Sequence, residues 1–160
     1  MKPVTATGVK NPTVTRAQPP MTDDRNIATE LLVIAARGVS KSMSDALRPH
    51  GLAPAQFGIL DLLDREGTLY PSTIARTLGI ETSTTATTLK RTEAHGFITR
   101  EPDPADARGV VVKMTPKGQA VLPSARESVR HVEARALKEL NDDDQRTLKA
   151  LLGQIIMNMK

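Results

Sequence analysis

Residues 71–117, PSTIARTLGIETSTTATTLKRTEAHGFITREPDPADARGVVVKMTPK, are the stretch that decides the fold. Their pattern predicts a short helix, a turn, a helix rich in threonine, and two strands around a charged tip. Pro71 opens the first helix, and Gly79 and Gly96 stop the two helices in turn. The tip between the strands is residues 103–109, DPADARG.

The threonine-rich run at 82–92 is ambiguous by itself, because threonine has a low helix propensity and favours strands. The run continues into helix formers and a glycine stop, and Gly79 provides the tight connection of a helix-turn-helix. We therefore expect a helix over 82–95, followed by strands at 97–101 and 110–114.

A hydroxyl-rich helix followed by a charged hairpin suits DNA binding rather than bond chemistry. Ser and Thr hydroxyls can donate hydrogen bonds to phosphates or base edges, and Lys and Arg neutralise phosphates. The alternative is a solvated helix face without a partner. The candidate DNA-binding residues are Ser72, Thr82, Ser83, Thr84, Thr85, Thr87, Thr88, Lys90, Arg91 and Arg108.

The tip carries an acidic–basic pair. Asp106 and Arg108 are two residues apart, so their side chains share a face if the arm is extended. An ion pair there would hold the shape of the loop; alternatively, Arg108 enters the minor groove, whose negative potential favours arginine. Gly109 relaxes the backbone, which makes Asp106, Arg108 and Gly109 the candidate wing-shaping residues. The remaining alternative is an ordinary exposed pair, worth well under about 1 kcal/mol.

Amphipathic helices are predicted on both sides of this module. Helical spacing covers 24–48 and 116–140, and a last helix follows Asn141 as its cap. The apolar stripes predict mutual packing and a homodimer, with an intramolecular bundle as the alternative. The fold class is therefore mainly α with a small β-hairpin wing. Its domains are a disordered tail at 1–22, dimerisation helices at 23–50 and 116–160, and a winged helix-turn-helix DNA-binding lobe at 51–115.

Composition excludes several classes of function. The 160-residue chain has a net charge of +4, which suits a polyanionic partner, and it has no cysteine for disulfides or thiolate metal sites. Its three histidines are far apart, and it has no phosphate loop or metal motif. We therefore expect no enzyme, no cofactor and no metal. Without a bilayer-length apolar run or a secretory signal, we expect a cytoplasmic protein that does not contact a membrane.

Five segments together carry a family resemblance: 52–57 (LAPAQF), 74–80 (IARTLGI), 91–98 (RTEAHGFI), 103–109 (DPADARG) and 114–118 (MTPKG). Their order and spacing resemble those of the MarR family of winged helix-turn-helix repressors. The resemblance implies a homodimer with intertwined terminal helices on pseudo-palindromic promoter sites. It implies a recognition helix over 82–95 in each major groove and a wing around Arg108 in the minor groove. It also implies release from double-stranded DNA by a small, often aromatic, anionic effector.

The chain departs from the family pattern in the predicted recognition helix. Members commonly carry arginine near Thr82 and Thr87, and apolar residues at the positions of Thr88 and Thr92. Fewer cations there imply weaker phosphate neutralisation or a different base preference.

A second departure lies just before Pro71. Tyr70 replaces the usual threonine cap, so we expect Ser72 to cap the helix instead.

The alternative function is a winged-helix module that binds protein and not DNA, because a fold does not determine a function.

Overall fold

The computed structural model describes residues 28–106 and 108–159, which form six α-helices and one two-stranded sheet. The predicted tail at 1–22 and the predicted helix start at Asp24 lie outside those residues. The elements in chain order are α1 (Ala28–Leu47), α2 (Pro54–Glu66), α3 (Pro71–Leu78), α4 (Thr82–Ala94), β1 (Ile98–Pro102), β2 (Val110–Met114), α5 (Pro116–Ala136) and α6 (Asp142–Asn158).

Helices α3 and α4 form the helix-turn-helix, and α2 packs against both. Their connection is short because Gly79 ends α3 with a left-handed φ of 64°, which costs glycine little. The threonine-rich run is helical, as predicted, and α4 ends two residues before Gly96. Leu89, in the middle of α4, anchors the helix because its side chain is only 1% exposed.

Strands β1 and β2 pair in antiparallel orientation and form the wing. Arg100 is the partner of Val112 in the register, and Leu69, just before α3, exchanges two backbone hydrogen bonds with Val112. Strand β1 begins one residue later than predicted, because the N–H of Phe97 still donates to Thr92 in α4. The hairpin is thereby tied to both helices of the helix-turn-helix.

The core consists mainly of aliphatic side chains from α1, α2, α3, α4, the wing and α5, together with Phe57 and Phe97. This agrees with a sequence that has only three aromatic residues. Burying a leucine or isoleucine of this kind contributes about 1.5–3 kcal/mol. The large apolar side chains that are less than 2% exposed are Leu47, Ile59, Leu60, Leu62, Ile74, Leu89, Ile98, Val112 and Leu122.

A cluster of charges joins α5 to α2 at the edge of this core. The Nε of Arg126 donates to Asp61 at 2.8 Å, and its Nη1 lies 2.7 Å from Asp64. Hydrogen bonding to Asp61 raises the pKa of Arg126 and holds the guanidinium in its charged form. The cluster therefore fixes the orientation of α5 on the lobe.

Helix α5 ends earlier than predicted. It stops at Ala136 and not near Leu140, because residues 137–139 form a turn. Asn141 then caps α6 by accepting hydrogen bonds from two N–H groups of the first turn, as predicted. The turn separates the two helices and lets α6 leave the lobe.

Helix α6 exposes its apolar stripe. Leu151, Ile155 and Ile156 are 52%, 40% and 58% exposed. In the described part of the chain α1 packs mainly against α5. An intramolecular bundle that buries both terminal helices against each other is therefore not found among the described residues.

Candidate nucleic-acid interface

The outward face of α4 carries most of the candidate DNA contacts. Ser83, Thr87, Lys90 and Arg91 lie on the side of the helix opposite Leu89, and all four are exposed. The face therefore presents hydroxyls, an ammonium group and a guanidinium group to solvent.

Thr85 does not belong to that face. Its side chain is 2% exposed, and its Oγ1 has no hydrogen-bond partner among the described residues. The predicted contact between Thr85 and DNA is therefore wrong, because the side chain is inside the core with Leu89 and Thr92. The sequence contained the signal: positions 85, 89 and 92 have the i, i+4, i+7 spacing of one buried stripe.

The other hydroxyls of α4 fall into two groups. Thr87 and Thr88 donate to the carbonyl oxygens of Ser83 and Thr84, at 3.1 and 2.8 Å, one helical turn back. Thr82, Ser83 and Thr84 donate no side-chain hydrogen bond within the described part of the chain. The uncommitted donors therefore lie in the first turn of α4, the part of a recognition helix that contacts base edges.

Three cations of this surface are available for phosphates. Lys90 and Arg91 on α4 and Arg108 on the wing are exposed. None of them forms an ion pair with a carboxylate of residues 28–106 or 108–159. Each can therefore neutralise a phosphate without first breaking an internal pair.

Two carboxylates beside this surface, Glu93 on α4 and Glu101 on the wing, are paired with cations. Arg100 contacts Glu93 of α4 at 2.6 Å, and Lys113 contacts Glu101 across the hairpin at 2.7 Å. The hydrogen bond from Arg100 lowers the pKa of Glu93, and that from Lys113 lowers the pKa of Glu101. Local cations thus neutralise both carboxylates, which reduces their repulsion of a polyanion.

A cleft of about 390 Å³ separates the outward face of α4 from the start of α2. Gln56, which is 2% exposed, accepts a hydrogen bond from the N–H of Ala53 at 3.0 Å, and its Nε2 lies 3.3 Å from His95 Nδ1. Gln56 therefore couples the start of α2 to the end of α4, a role that sequence reasoning missed. The cleft is lined by Ala53, Ala55, Gln56, Ser83, Thr84, Thr87, Thr88 and Arg91.

Asp106 shapes the wing tip through the backbone. Its Oδ1 accepts from the N–H of Arg108 at 3.0 Å, and its carbonyl accepts from the N–H of Gly109 at 2.8 Å. The two residues lie in the turn beyond the strands and not on one extended arm, so the ion pair considered from the sequence is wrong. The guanidinium of Arg108 is left exposed at the tip.

Asp103 organises the base of the tip. Its side chain is 8% exposed; Oδ2 accepts from the hydroxyl of Tyr70, and Oδ1 accepts from the N–H of Ala105 at 2.9 Å. The Tyr70 bond lowers the pKa of Asp103 and raises that of Tyr70. A Cβ at Gly109 would lie 3.1 Å from the Cβ of Asp103, so glycine permits this close approach.

The bond between Tyr70 and Asp103 was not predicted from the sequence. The bond from Ala105 had a signal, since Asp commonly bonds the backbone N–H two residues on. The bond from Tyr70 had none, because its partner is 33 residues away.

Helix α3 begins without a side-chain cap. Pro71 is its first residue and Tyr70 holds the cap position, so Ser72 is already inside the helix. The predicted Ser72 cap is wrong for this reason. Ser72 is exposed and stays a candidate DNA contact.

Neither a metal-binding cluster nor a membrane-spanning helix is found among the described residues. They contain no group of three or more His, Asp or Glu side chains that could hold a metal ion. No helix among them has both the length and the apolar character needed to cross a bilayer.

A helix-turn-helix with an exposed second helix and a hairpin wing defines the winged helix-turn-helix class of DNA-binding proteins. A model of the MarR family matches residues 50–109. The uncharacterized HTH-type transcriptional regulator YkoM of Bacillus subtilis (strain 168) is 30% identical over 118 residues, or 74% of this chain and 77% of YkoM. The chain belongs to the MarR family, and the resemblance seen in its sequence is confirmed.

Solved structures support this assignment. A mutant of MarR from Escherichia coli complexed with operator DNA superposes with a TM-score of 0.74 at 25% identity, covering 79% of this chain and 91% of that one. BpsR of Bordetella bronchiseptica, whose DNA binding is regulated by 6-hydroxynicotinic acid, shares the fold with a TM-score of 0.73 at 23% identity, covering 79% of this chain and 96% of that one. The chain is therefore a DNA-binding transcriptional regulator and not a member of an enzyme family.

Proposed function

We propose that the protein is a homodimeric transcriptional repressor that binds a pseudo-palindromic promoter site. The observation that carries the proposal is the continuous exposed surface of uncommitted hydroxyls on α4 and unpaired cations on α4 and the wing. Such a surface supplies both the phosphate contacts and the base contacts that sequence-specific binding requires.

The proposal assigns each group a place on DNA. Thr82, Ser83 and Thr84 donate to base edges in the major groove, because their hydroxyls are uncommitted at the start of α4. Ser72, Thr87, Thr88, Lys90 and Arg91 contact the backbone or base edges beside them. Arg108 enters the adjacent minor groove from the exposed tip of the wing.

The dimer is proposed from the exposed apolar faces of the terminal helices, within 23–50 and 116–160. On α1, Leu31, Val33 and Ile34 are 44%, 47% and 58% exposed, and α6 exposes a comparable stripe. Exposed apolar patches of this kind mark interaction sites, and in the proposed dimer a second copy covers them through a two-fold axis. The lobe at 51–115 then occurs twice, which matches two half-sites.

An effector that releases the DNA belongs to the same proposal. The DNA binding of BpsR is regulated by 6-hydroxynicotinic acid, a small aromatic molecule. In the present chain an apolar groove of about 220 Å³ lies between α1 and α5 and offers room for such a ring. A thermal-shift screen with small phenolic acids tests this part: we expect at least one acid to raise the midpoint of unfolding, and uniformly flat responses would argue against an effector.

The proposed binding to promoter DNA also implies where in the cell the protein acts. A regulator of promoter DNA acts where bacterial DNA resides, so we place the protein in the cytoplasm. Separating cell extracts into cytoplasmic and membrane fractions tests the placement, which recovery in the membrane fraction would contradict.

Retardation of a promoter fragment in a gel tests the proposal as a whole. We expect retardation at low salt that weakens steeply as salt rises, since released counterions drive the binding. Arg91→Ala and Arg108→Ala should each reduce the slope of log affinity against log salt by about 1. Arg130→Ala is the matched control, because Arg130 is exposed on α5 and pairs with Glu127 at 3.0 Å. Absence of retardation of any genomic fragment at low salt would favour a winged-helix module that binds protein.

A further inference from the structure

The wing meets the helix-turn-helix at two places beside α3. Leu69 forms its backbone bridge with Val112, which lies in the middle of the hairpin opposite Arg100. The second place is the bond from Tyr70 to Asp103, which lies at the outer end of β1. Arg100 and Asp103 are three positions apart along the chain, or about 10 Å of extended strand.

The bridge at Leu69 and the pair between Arg100 and Glu93 hold the middle of the hairpin against the helix-turn-helix. The Tyr70 bond holds the outer end, so the angle of the tip is set by an attachment next to it. The carboxylate of Asp103 also accepts from the N–H of Ala105, and the backbone N–H of Asp103 donates to the carbonyl of Gly109 at 2.9 Å. Through its side chain and its backbone, Asp103 therefore connects the start of α3 to both sides of the tip that carries Arg108.

We propose that Tyr70 is a positioning residue for DNA binding: its hydroxyl holds Asp103 and thereby sets the angle at which the wing presents Arg108. This inference rests on the proposed function, since it presumes that Arg108 contacts DNA. Tyr70 itself need not touch DNA, because its hydroxyl is directed to Asp103. Asp103 is 8% exposed and Tyr70 is 46% exposed, so the carboxylate is the sheltered partner of the bond.

The lowered pKa of Asp103 and the raised pKa of Tyr70 agree with this geometry. Both shifts have the bond between the two side chains as their largest cause, so the carboxylate stays charged and the phenol stays protonated near neutral pH. Tyr70→Phe removes the hydroxyl alone and leaves the ring, which makes it the informative substitution.

A double-mutant cycle on the full-length protein tests the inference. The probe is a duplex selected by the wild-type protein from a random-sequence pool, and the variants are Tyr70→Phe, Arg108→Ala and the double variant. We expect Tyr70→Phe to weaken affinity about ten-fold, the lower end of the effect of losing a hydrogen bond to a charged group. In the Arg108→Ala background the same change should have almost no effect, because the side chain that it positions is gone.

A minor-groove footprint separates positioning from stability. Hydroxyl-radical protection at the two flanks should disappear in Tyr70→Phe while protection at the centre of each half-site remains. Asp103→Asn, checked for a cooperative thermal transition, should lose the same flank protection. Wild-type affinity in Tyr70→Phe, or losses that multiply in the double variant, would overturn the inference while leaving the proposed function intact. Failure of the wild-type protein to select any duplex would overturn both.

Discussion

Thr84 and Thr85 are neighbours in the sequence but lie in opposite environments. Thr84 is exposed and its hydroxyl is uncommitted, whereas Thr85 is buried with an Oγ1 that has no partner among the described residues. A hydroxyl buried in this way destabilises the folded state, so the run of threonines is not a uniform surface. Its members have to be assigned individually to DNA contact or to packing.

Substitution of the two residues by valine should therefore have opposite effects. Thr85→Val keeps the shape of the side chain and removes the unpaired hydroxyl, so we expect the free energy of unfolding to rise by about 1 kcal/mol. DNA affinity should be unchanged. Thr84→Val should leave stability unchanged and weaken affinity about three-fold. Urea unfolding and a binding titration of both variants check this, and a loss of affinity in Thr85→Val would contradict the assignment.

Asp103 gives the wing a dependence on pH. Because the hydrogen bond from Tyr70 lowers its pKa, Asp103 stabilises the fold above the ordinary aspartate pKa of about 3.9. This contribution is lost as the pH falls through the lower value of the folded state. Between about pH 5 and 2 we expect the wild-type protein to lose more stability than Asp103→Asn does. Unfolding curves at several pH values measure the difference, and parallel curves would exclude the role of the charge.

At the scale of elements, hydrogen bonds of Thr115, the residue before α5, hold the wing against the end of α4. The hydroxyl of Thr115 donates to the carbonyl of Gly96 at 2.7 Å and accepts from the N–H of Gly118 at 3.1 Å. A Cβ at Gly118 would lie 2.4 Å from the carbonyl oxygen of Phe97, which real structures do not tolerate. Glycine is therefore required where helix, strand and helix converge.

Gly118→Ala should destabilise the protein by about 2 kcal/mol, because backbone has to move to admit the methyl group. The matched control is Gly58→Ala in the interior of α2, where a Cβ would meet only Leu78 carbons at 3.8 Å. That control should be neutral or should stabilise by up to about 1 kcal/mol through helix propensity. Thermal unfolding distinguishes the two variants, and equal midpoints would refute the packing argument.

Local chemistry made most of the elements predictable. Gly79 and Gly96 stopped the predicted helices near the observed ends, and Asn141 marked the start of α6. The errors have tertiary causes: Phe97 stays bonded to α4, and residues 137–139 turn before Asn141. Patterns within the chain cannot encode such competition between neighbouring elements.

The candidate site was predictable in part for the same reason. The helical period could have removed Thr85, and an aspartate at the tip could have indicated a backbone turn. The bond between Tyr70 and Asp103 depends on the packing of two distant segments and was not predictable from either. The contacts of the remaining candidates with DNA stay predictions.

For the whole molecule, the proposed dimer covers the exposed stripe of α6 with a second copy. Ile156 is 58% exposed on α6, and we expect Ile156→Glu to place a charge in the dimer interface and shift the protein to monomers. Val110→Glu is the control, because Val110 is a comparably exposed apolar residue on the wing strand, outside the proposed interface. Sedimentation velocity over a range of concentrations measures the shift, and a monomeric wild-type protein would contradict the dimer.

The charge cluster of Arg126 with Asp61 and Asp64 connects that interface to the lobe. Because α5 contacts α1 on one side and α2 on the other, a change in the dimer arrangement would reach the DNA-binding surface through it. In the proposed dimer, the distance between the two α4 helices then determines which spacing of DNA half-sites the protein can bind.

Methylation interference on a selected duplex tests the central claim most directly, because it reports guanines in the major groove and adenines in the minor groove. We expect two major-groove patches whose centres are one helical turn or a multiple of it apart, about 10–10.5 base pairs per turn. Minor-groove contacts should flank both patches and vanish in Arg108→Ala. One isolated patch, or flanking contacts that persist without the Arg108 side chain, would contradict a dimer that reads DNA with α4 and the wing.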